Sequence, residues 1–470
     1  MRVAPALTVV ALTLVCQGTA WAEKRVQALT PPALCDAERA RLRETALVIG
    51  PTGEPPLVPY RDRSDADRDL RRLSRIAEGP GGCAAALTNR GIIQWSLSRT
   101  GWTPKDAPGQ AAGRPWRTEA VLSFSEAARV SDEGAVVGAI LGATAVLQLE
   151  GVMPELATRL GPVLFARLRY PGFIADTTRH LVRGRLAVWL GLPLAADSAF
   201  VAYAGAGGDP GLAALELARI RLATGRGDSA YWMAVASRNP EVIDGLAYDL
   251  DFIADSAERA ELDALGRTQR LAWFENFWRS RDLESLHPAG SRLAEHYARL
   301  AHARRHFRLM RYPRAYETFE LWRNPDAEFD DRGLIYVRHG PPDDSASMAF
   351  AACPNLSWLY REPAGNMVFH FIARDDPDDW RLIETLANAE GGNGATTRLR
   401  RNFDFVGCQP EPGLLWSRAA IDPVYARLAV YPNRRDWERE LGMITRSREF
   451  GTTTDSHEYR FADPMTASLQ

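Results

Sequence analysis

The chain has 470 residues, 46% of them hydrophobic and 25% charged, with a formal net charge of −2. That length accommodates two or three domains with real cores, and the composition is that of an ordinary globular protein. The near-neutral balance excludes the whole-chain basic field expected of a nucleic-acid binder. Residues 1–22 read as a secretory signal: Arg2 is a short basic start, Ala6–Val15 an apolar run, and Ala20 and Ala22 are small residues at −3 and −1 of a cleavage site. Cys16 raises a lipoprotein alternative, but Val15 is not the small residue that lipidation requires before the cysteine. The expectation is an exported protein, periplasmic or extracellular, with outer-membrane association as a further option.

Export changes how the cysteines are read. Past the signal, Cys35, Cys83, Cys353 and Cys408 remain. Four cysteines allow three connectivities. Cys35–Cys83 and Cys353–Cys408 keep each bridge inside one architectural half; four buried thiols are the alternative. No CxxC spacing occurs, so neither a zinc site nor a thioredoxin-type site is expected.

Residues 35–265 alternate helix-like stretches with short Gly/Pro breaks. Leu186-Ala187 is followed by Ala199 and Tyr203, and Leu217-Ala218 by Ala230 and Ala234, with an offset of 31 between Ala187 and Ala218. These small residues resemble the tetratricopeptide repeat, in which they let two antiparallel helices close on each other. Ala120, Phe124 and Ala127 make a partial third match. The reading is an α-solenoid of helical hairpins, with an irregular bundle as its competitor; a solenoid implies a surface for protein partners. Ala135–Leu149 is apolar, with Gly134, Gly138 and Gly142 spaced for close helix approach, and is too short to span a bilayer. Residues 205–211 are Gly-rich, but Pro210 replaces the third glycine of a dinucleotide loop, so they read as an inter-helix turn.

Residues 267–282 carry the aromatic face Trp273, Phe274, Phe277 and Trp278, and Leu293, Tyr297, Leu300 and Phe307 share one side of the next helix. That helix also carries Arg292, Arg299, Arg304, Arg305, Arg308, Arg311 and Arg314, a basic face that suits either solvent or an anionic envelope surface. His302 and His306 have the i, i+4 spacing of two metal ligands. Arg304 and Arg305 flank them and no HExxH glutamate is present, so no metal or other cofactor is expected.

Phe277-Trp278 with Arg281-Asp282, then Asp331-Arg332-Gly333, Tyr336 and Gly340-Pro341-Pro342-Asp343, resemble the GWxTD domain over about residues 267–386. At the positions that give that family its name the chain has Ala327, Glu328 and Asp330 in place of Gly, Trp and Thr, and keeps only Asp331. The resemblance implies an exported bacterial protein with a small α+β domain, and it supplies no assigned activity to carry over. The four runs 334–337, 357–361, 367–373 and 380–386 are expected as strands of an antiparallel sheet, the first ending at Gly340-Pro341-Pro342. Asp375–Asp379 is a carboxylate-rich turn that lacks the later glutamate of a calcium loop. Residues 391–470 read as a mixed extension with a helix near 419–428.

The fold class is therefore α+β and multidomain: a helical hairpin array followed by a small α+β domain. No nucleophile elbow, phosphate loop or zincin pattern occurs. The best catalytic constellation is His339 with Asp343, near Asp330, Asp331 and Asp344, where a histidine beside carboxylates has the chemistry of a general base. Two functions follow. One is an envelope interaction protein or scaffold with protein partners and no nucleic acid. The other is a hydrolytic enzyme acting on an envelope substrate around His339.

Overall fold

The computed structural model describes residues 32–50, 53–79, 82–100, 114–148, 154–309, 328–348, 354–362, 365–373, 380–383 and 412–430. The expected signal segment 1–22, the expected Cys353–Cys408 pair, the acidic turn 375–379, the glycine-rich loop near 391–397, and Arg311 and Arg314 lie outside them. The chain is a helical array followed by a small antiparallel sheet, and it divides between Asp209 and Pro210 into two compact units.

The N-terminal unit holds eight described helices: α1 (Pro32–Ala46), α2 (Arg63–Ala77), α3 (Ala84–Leu97), α4 (Arg114–Arg129), α5 (Gly134–Gln148), α6 (Pro154–Arg167), α7 (Asp176–Trp189) and α8 (Pro193–Gly205). Its core is aliphatic and alanine-rich, with Leu42, Leu73, Phe124, Ile140 and Leu164 almost fully enclosed. The helices come close because small residues meet large ones. A Cβ on Gly91 would lie 2.5 Å from Phe124, one on Gly142 would lie 2.9 Å from Leu164, and one on Gly184 would run into the Phe200 ring. The glycine-spaced α5 is thus a core helix, and no described helix is long and apolar enough to cross a membrane. Cys35 and Cys83 form a disulfide with Cα atoms 5.9 Å apart, which ties α1 to the start of α3. Beside it the buried Glu38 accepts hydrogen bonds from Arg41 at 2.9 Å and Asn89 at 3.0 Å and pairs with Arg72, joining α1, α2 and α3. The repeat-like residues Ala187, Ala199 and Tyr203 are buried in the α7–α8 hairpin.

The C-terminal unit begins with α9 (Pro210–Ala223), α10 (Ser229–Val235), α11 (Pro240–Leu250), α12 (Ser256–Ala264), α13 (Arg267–Glu284) and α14 (Ser291–His306). Ala218, Ala230 and Ala234 are buried in the α9–α10 hairpin. The helices from Pro210 onward pack with the sheet-bearing unit, although the sequence pattern runs unbroken to residue 265. The aromatic face of α13 is core: Trp278 Nε1 donates to Tyr231 OH at 2.8 Å, and Phe274 meets Tyr231 edge to face.

Next comes α15 (Asp331–His339), then the strands β1 (Asp344–Ala346), β2 (Asn355–Glu362), β3 (Gly365–Ala373) and β4 (Trp380–Ile383) in the meander order β1-β2-β3-β4, all antiparallel. The run 334–337, expected as a strand, is part of α15. The reason lies in its flanks. Asp330 caps the helix by accepting from Arg332 N at 2.9 Å and Gly333 N at 3.4 Å, and Gly340, at φ 83, ends it in a conformation that suits glycine. Arg338 and His339 lie in the last turn, where the helix dipole favours cations. These cap signals outweigh the β-prone side chains between them. The other three expected strands are β2, β3 and β4.

The sheet is covered on both faces. Trp358, Tyr360, Phe369, Phe371 and Leu382 pack with Ile335 of α15. On the opposite face Leu359 and Val368 meet Ile421, which lies between α16 (Pro412–Ser417) and α17 (Pro423–Leu428). The expected helix near 419–428 is α17.

Candidate functional site

The motif residues surround α15 and the α13–α14 turn, and their polar side chains are occupied by the fold. The buried Asp282 accepts from Gly290 N at 2.7 Å and Arg292 N at 2.8 Å, so a side chain at the end of α13 caps the start of α14. Arg281 pairs with Glu258 at 2.8 Å and lies over the Phe277 ring at 3.6 Å. Asp331 accepts from Leu382 N at 2.8 Å, which anchors β4 to α15. Arg332 pairs with Asp330 at 2.6 Å and rests over Trp380 at 4.4 Å. Gly333 leaves no room for a side chain, since a Cβ there would lie 2.5 Å from Phe329. Tyr336 stacks on His302, and the Gly340 carbonyl accepts from Tyr360 OH at 2.9 Å. Pro341 and Pro342 form the short link from α15 to β1.

The α13–α14 turn carries a strained residue. Leu286 has φ 53, the left-handed region, and is 93% exposed. It ends α13 in a Schellman pattern, with Leu286 N donating to Leu283 O at 3.1 Å and His287 N to Asp282 O at 2.8 Å. Glycine normally holds this position because it has no Cβ to strain. Leu286→Gly is expected to stabilise the C-terminal unit by about 0.5–1 kcal/mol. Urea unfolding of the two proteins checks this; a lower midpoint for the variant would show that Leu286 is held by contacts that offset its strain.

His339 and Asp343 do not make a catalytic pair. The half-buried His339 ring packs against Tyr360 and Phe369, with centroids 5.4 and 5.1 Å away. Burial, then the positive charges of Arg338 and Arg299, lower its pKa to about 3. Asp343 is exposed and accepts from Arg361 N at 2.6 Å, at the sheet edge. A base whose pKa lies so far below neutrality has little affinity for a substrate proton. Asp330 and Asp331 are occupied as described, and Asp344 pairs with Arg361 at 3.6 Å.

Two buried polar clusters carry no signal in the sequence. The first centres on Asp249 at the end of α11, which is fully buried. It accepts from Arg219 Nε at 2.8 Å, Arg304 Nη2 at 2.9 Å and Tyr297 OH at 3.2 Å. Burial alone would raise its pKa, but Arg219 and Arg304 outweigh burial and hold it down at about 2. His296 donates to the Asp249 carbonyl at 3.0 Å, and burial lowers its pKa to about 4 despite that carboxylate. Glu328, at the position where the resembled motif has tryptophan, pairs with Arg304. The expected basic face is therefore largely turned inward. Arg292 pairs with Glu295 at 2.6 Å, Arg299 donates to the Arg338 carbonyl at 2.8 Å, and burial lowers the pKa of Arg308 to about 10; Arg305 is exposed.

The second cluster lies under α16 and α17. Ser357 and His370 are cross-strand neighbours, with Oγ and Nδ1 2.7 Å apart, and His370 Nε2 lies 3.0 Å from Tyr425 OH. Arg418 donates to Ser357 Oγ at 2.7 Å, Ser417 Oγ at 2.6 Å and Asn355 Oδ1 at 2.6 Å. Burial lowers the pKa of Arg418 to about 10, against the pull of Tyr425. A serine beside a histidine is the pairing of a nucleophile and its base, but Ser357, His370 and Arg418 are all 0% exposed. This arrangement joins sheet to helix and admits no substrate. No group of three or more His, Cys, Asp or Glu among the described residues is placed to hold a metal.

No family model matches the chain, and no curated protein or solved structure matches it.

Proposed function

We propose that the chain is an exported, envelope-associated interaction protein, whose helical hairpins hold protein partners and whose C-terminal unit is a GWxTD-like α+β domain. The observation that carries this reading is the use made of the motif. Asp282 caps a helix, Asp331 anchors a strand, and Arg281 and Arg332 are paired with Glu258 and Asp330. Such a motif specifies a fold and leaves no charged motif side chain poised for chemistry at His339. The Cys35–Cys83 disulfide fits an oxidising compartment, and so supports export. Hydrolysis around His339 loses support, because burial and two arginines strip that ring of its basicity. The anionic-surface reading also loses weight, because Arg292, Arg299 and Arg304 are engaged within the fold.

In vivo crosslinking followed by affinity capture from intact envelopes tests the proposal. The expected result is a reproducible set of protein partners, retained in the presence of a chelator and after His339→Ala. Recovery of the chain alone, or its detection only in the cytoplasm, would overturn it.

A further inference from the structure

His302 and His306 lie one turn apart on α14, with ring centroids 4.3 Å apart and planes inclined by 35°. The His302 ring is stacked on Tyr336 of α15 at 4.1 Å and 12°, and Phe307 flanks it at 5.6 Å. Neither imidazole makes a hydrogen bond within the described residues, so no described group competes with a cation for their lone pairs. His302 is half-buried and His306 exposed, which leaves the pair open to solvent.

The sequence objection was the positive charge of the neighbouring arginines. The fold removes half of it. Arg304 points into the unit, where it binds Asp249 at 2.9 Å and pairs with Glu328. Arg305 is exposed and remains as a mild opposing charge.

We propose that His302 and His306 form a two-histidine site for an imidazole-preferring divalent cation, with Cu(II) bound most tightly. The i, i+4 spacing on a helix brings two imidazoles to one cation, and the Tyr336 stack fixes the plane of one ring before binding. Imidazole donors suit Cu, Ni and Zn, and Cu(II) heads the affinity order for a given nitrogen site. No third protein ligand joins them among the described residues. The bound cation therefore keeps positions for water or an external ligand, as catalytic or exchange sites do and closed structural sites do not. Joining two ligands on one rigid element makes the second coordination step intramolecular, worth on the order of a hundredfold over a single histidine.

Titration of the full chain with CuCl2, by calorimetry and by electron paramagnetic resonance, tests this, with ZnCl2 in parallel. The expected result is a tightest site of one equivalent, with nitrogen couplings from two imidazoles and weaker Zn(II) binding. His306→Ala, at an exposed position, and His302→Ala should each weaken that site by roughly a hundredfold. Arg305→Gln should tighten it. The circular dichroism of His306→Ala without metal should match that of the parent, so its loss of binding is not loss of fold. Equal Cu(II) affinity in the parent and in His306→Ala would overturn the proposal, and so would a spectrum with a single nitrogen ligand.

Discussion

Asp249→Asn is expected to destabilise the C-terminal unit by about 3–5 kcal/mol. The size of the effect comes from what remains. Arg219 and Arg304 would keep their charges beside a neutral amide, at a carboxylate site that is 0% exposed. Removing one member of a buried ion pair costs far more than a surface pair contributes, because the orphaned charge keeps its desolvation penalty. The same cluster sets a pH dependence. The Asp249 carboxyl has its folded pKa lowered to about 2, below its ordinary value. Its contribution is therefore full above the ordinary carboxylate range and is lost as pH falls from about 4 towards 2. Urea unfolding at neutral pH and near pH 3 checks both points. The parent should lose stability between them, and Asp249→Asn should lose less. Equal midpoints for the two proteins at neutral pH would sink the argument, because Arg219 and Arg304 would then be solvated without their carboxylate.

The second large effect lies in the N-terminal unit. Opening the Cys35–Cys83 bridge, which closes a loop with a sequence separation of 48, is expected to cost about 4 kcal/mol by the loop-entropy model. The loss should concentrate where the bridge acts, on the amides of α1 and α3. Hydrogen exchange with and without reductant measures it. Protection in those helices should fall by roughly three orders of magnitude, since each 1.4 kcal/mol is a factor of ten. A variant with both Cys35→Ala and Cys83→Ala should exchange as fast as the reduced parent and ignore reductant. Unchanged protection on reduction would mean that the Glu38 network alone holds α1 in place.

The sheet was legible because its pattern repeats every second residue. Trp358 and Tyr360 on β2, with Phe369 and Phe371 on β3, place aromatic rings on one face. The close helix packing was foreshadowed in part, by the Gly134, Gly138 and Gly142 spacing of α5 and by Ala187 and Ala199 in the α7–α8 hairpin, whereas the seating of Phe124 and Phe200 against Gly91 and Gly184 was not. The segment α15 resembles a strand in sequence for a local reason. Ile335 and Val337 are both buried, an alternation that mimics a strand, because this short helix is enclosed on more than one side. Its caps, Asp330 and Gly340, were visible in the sequence and carried the better signal. The Asp249 cluster was not legible at all. Its partners stand 30 and 55 residues away along the chain, and nothing local distinguishes a buried arginine from a solvated one. Arg304 shows this directly: it counts as one more member of a basic helix face until the fold turns it inward. The links from Arg418 to Ser357 and Asn355 span 61 and 63 residues and were invisible for the same reason.

The network beneath α16 and α17 has a consequence for how the chain folds. Before α16 and α17 are in place, the face of the β2–β3 pair that carries Ser357, His370 and Asn355 lacks its contacts with Arg418 and Tyr425. Helices of six residues do not form alone, so α16 and α17 acquire their shape only on that face. The sheet and its cover are thus completed together. Chains truncated before Arg418 would keep the aromatic side of the sheet and lose the groups that answer its polar side.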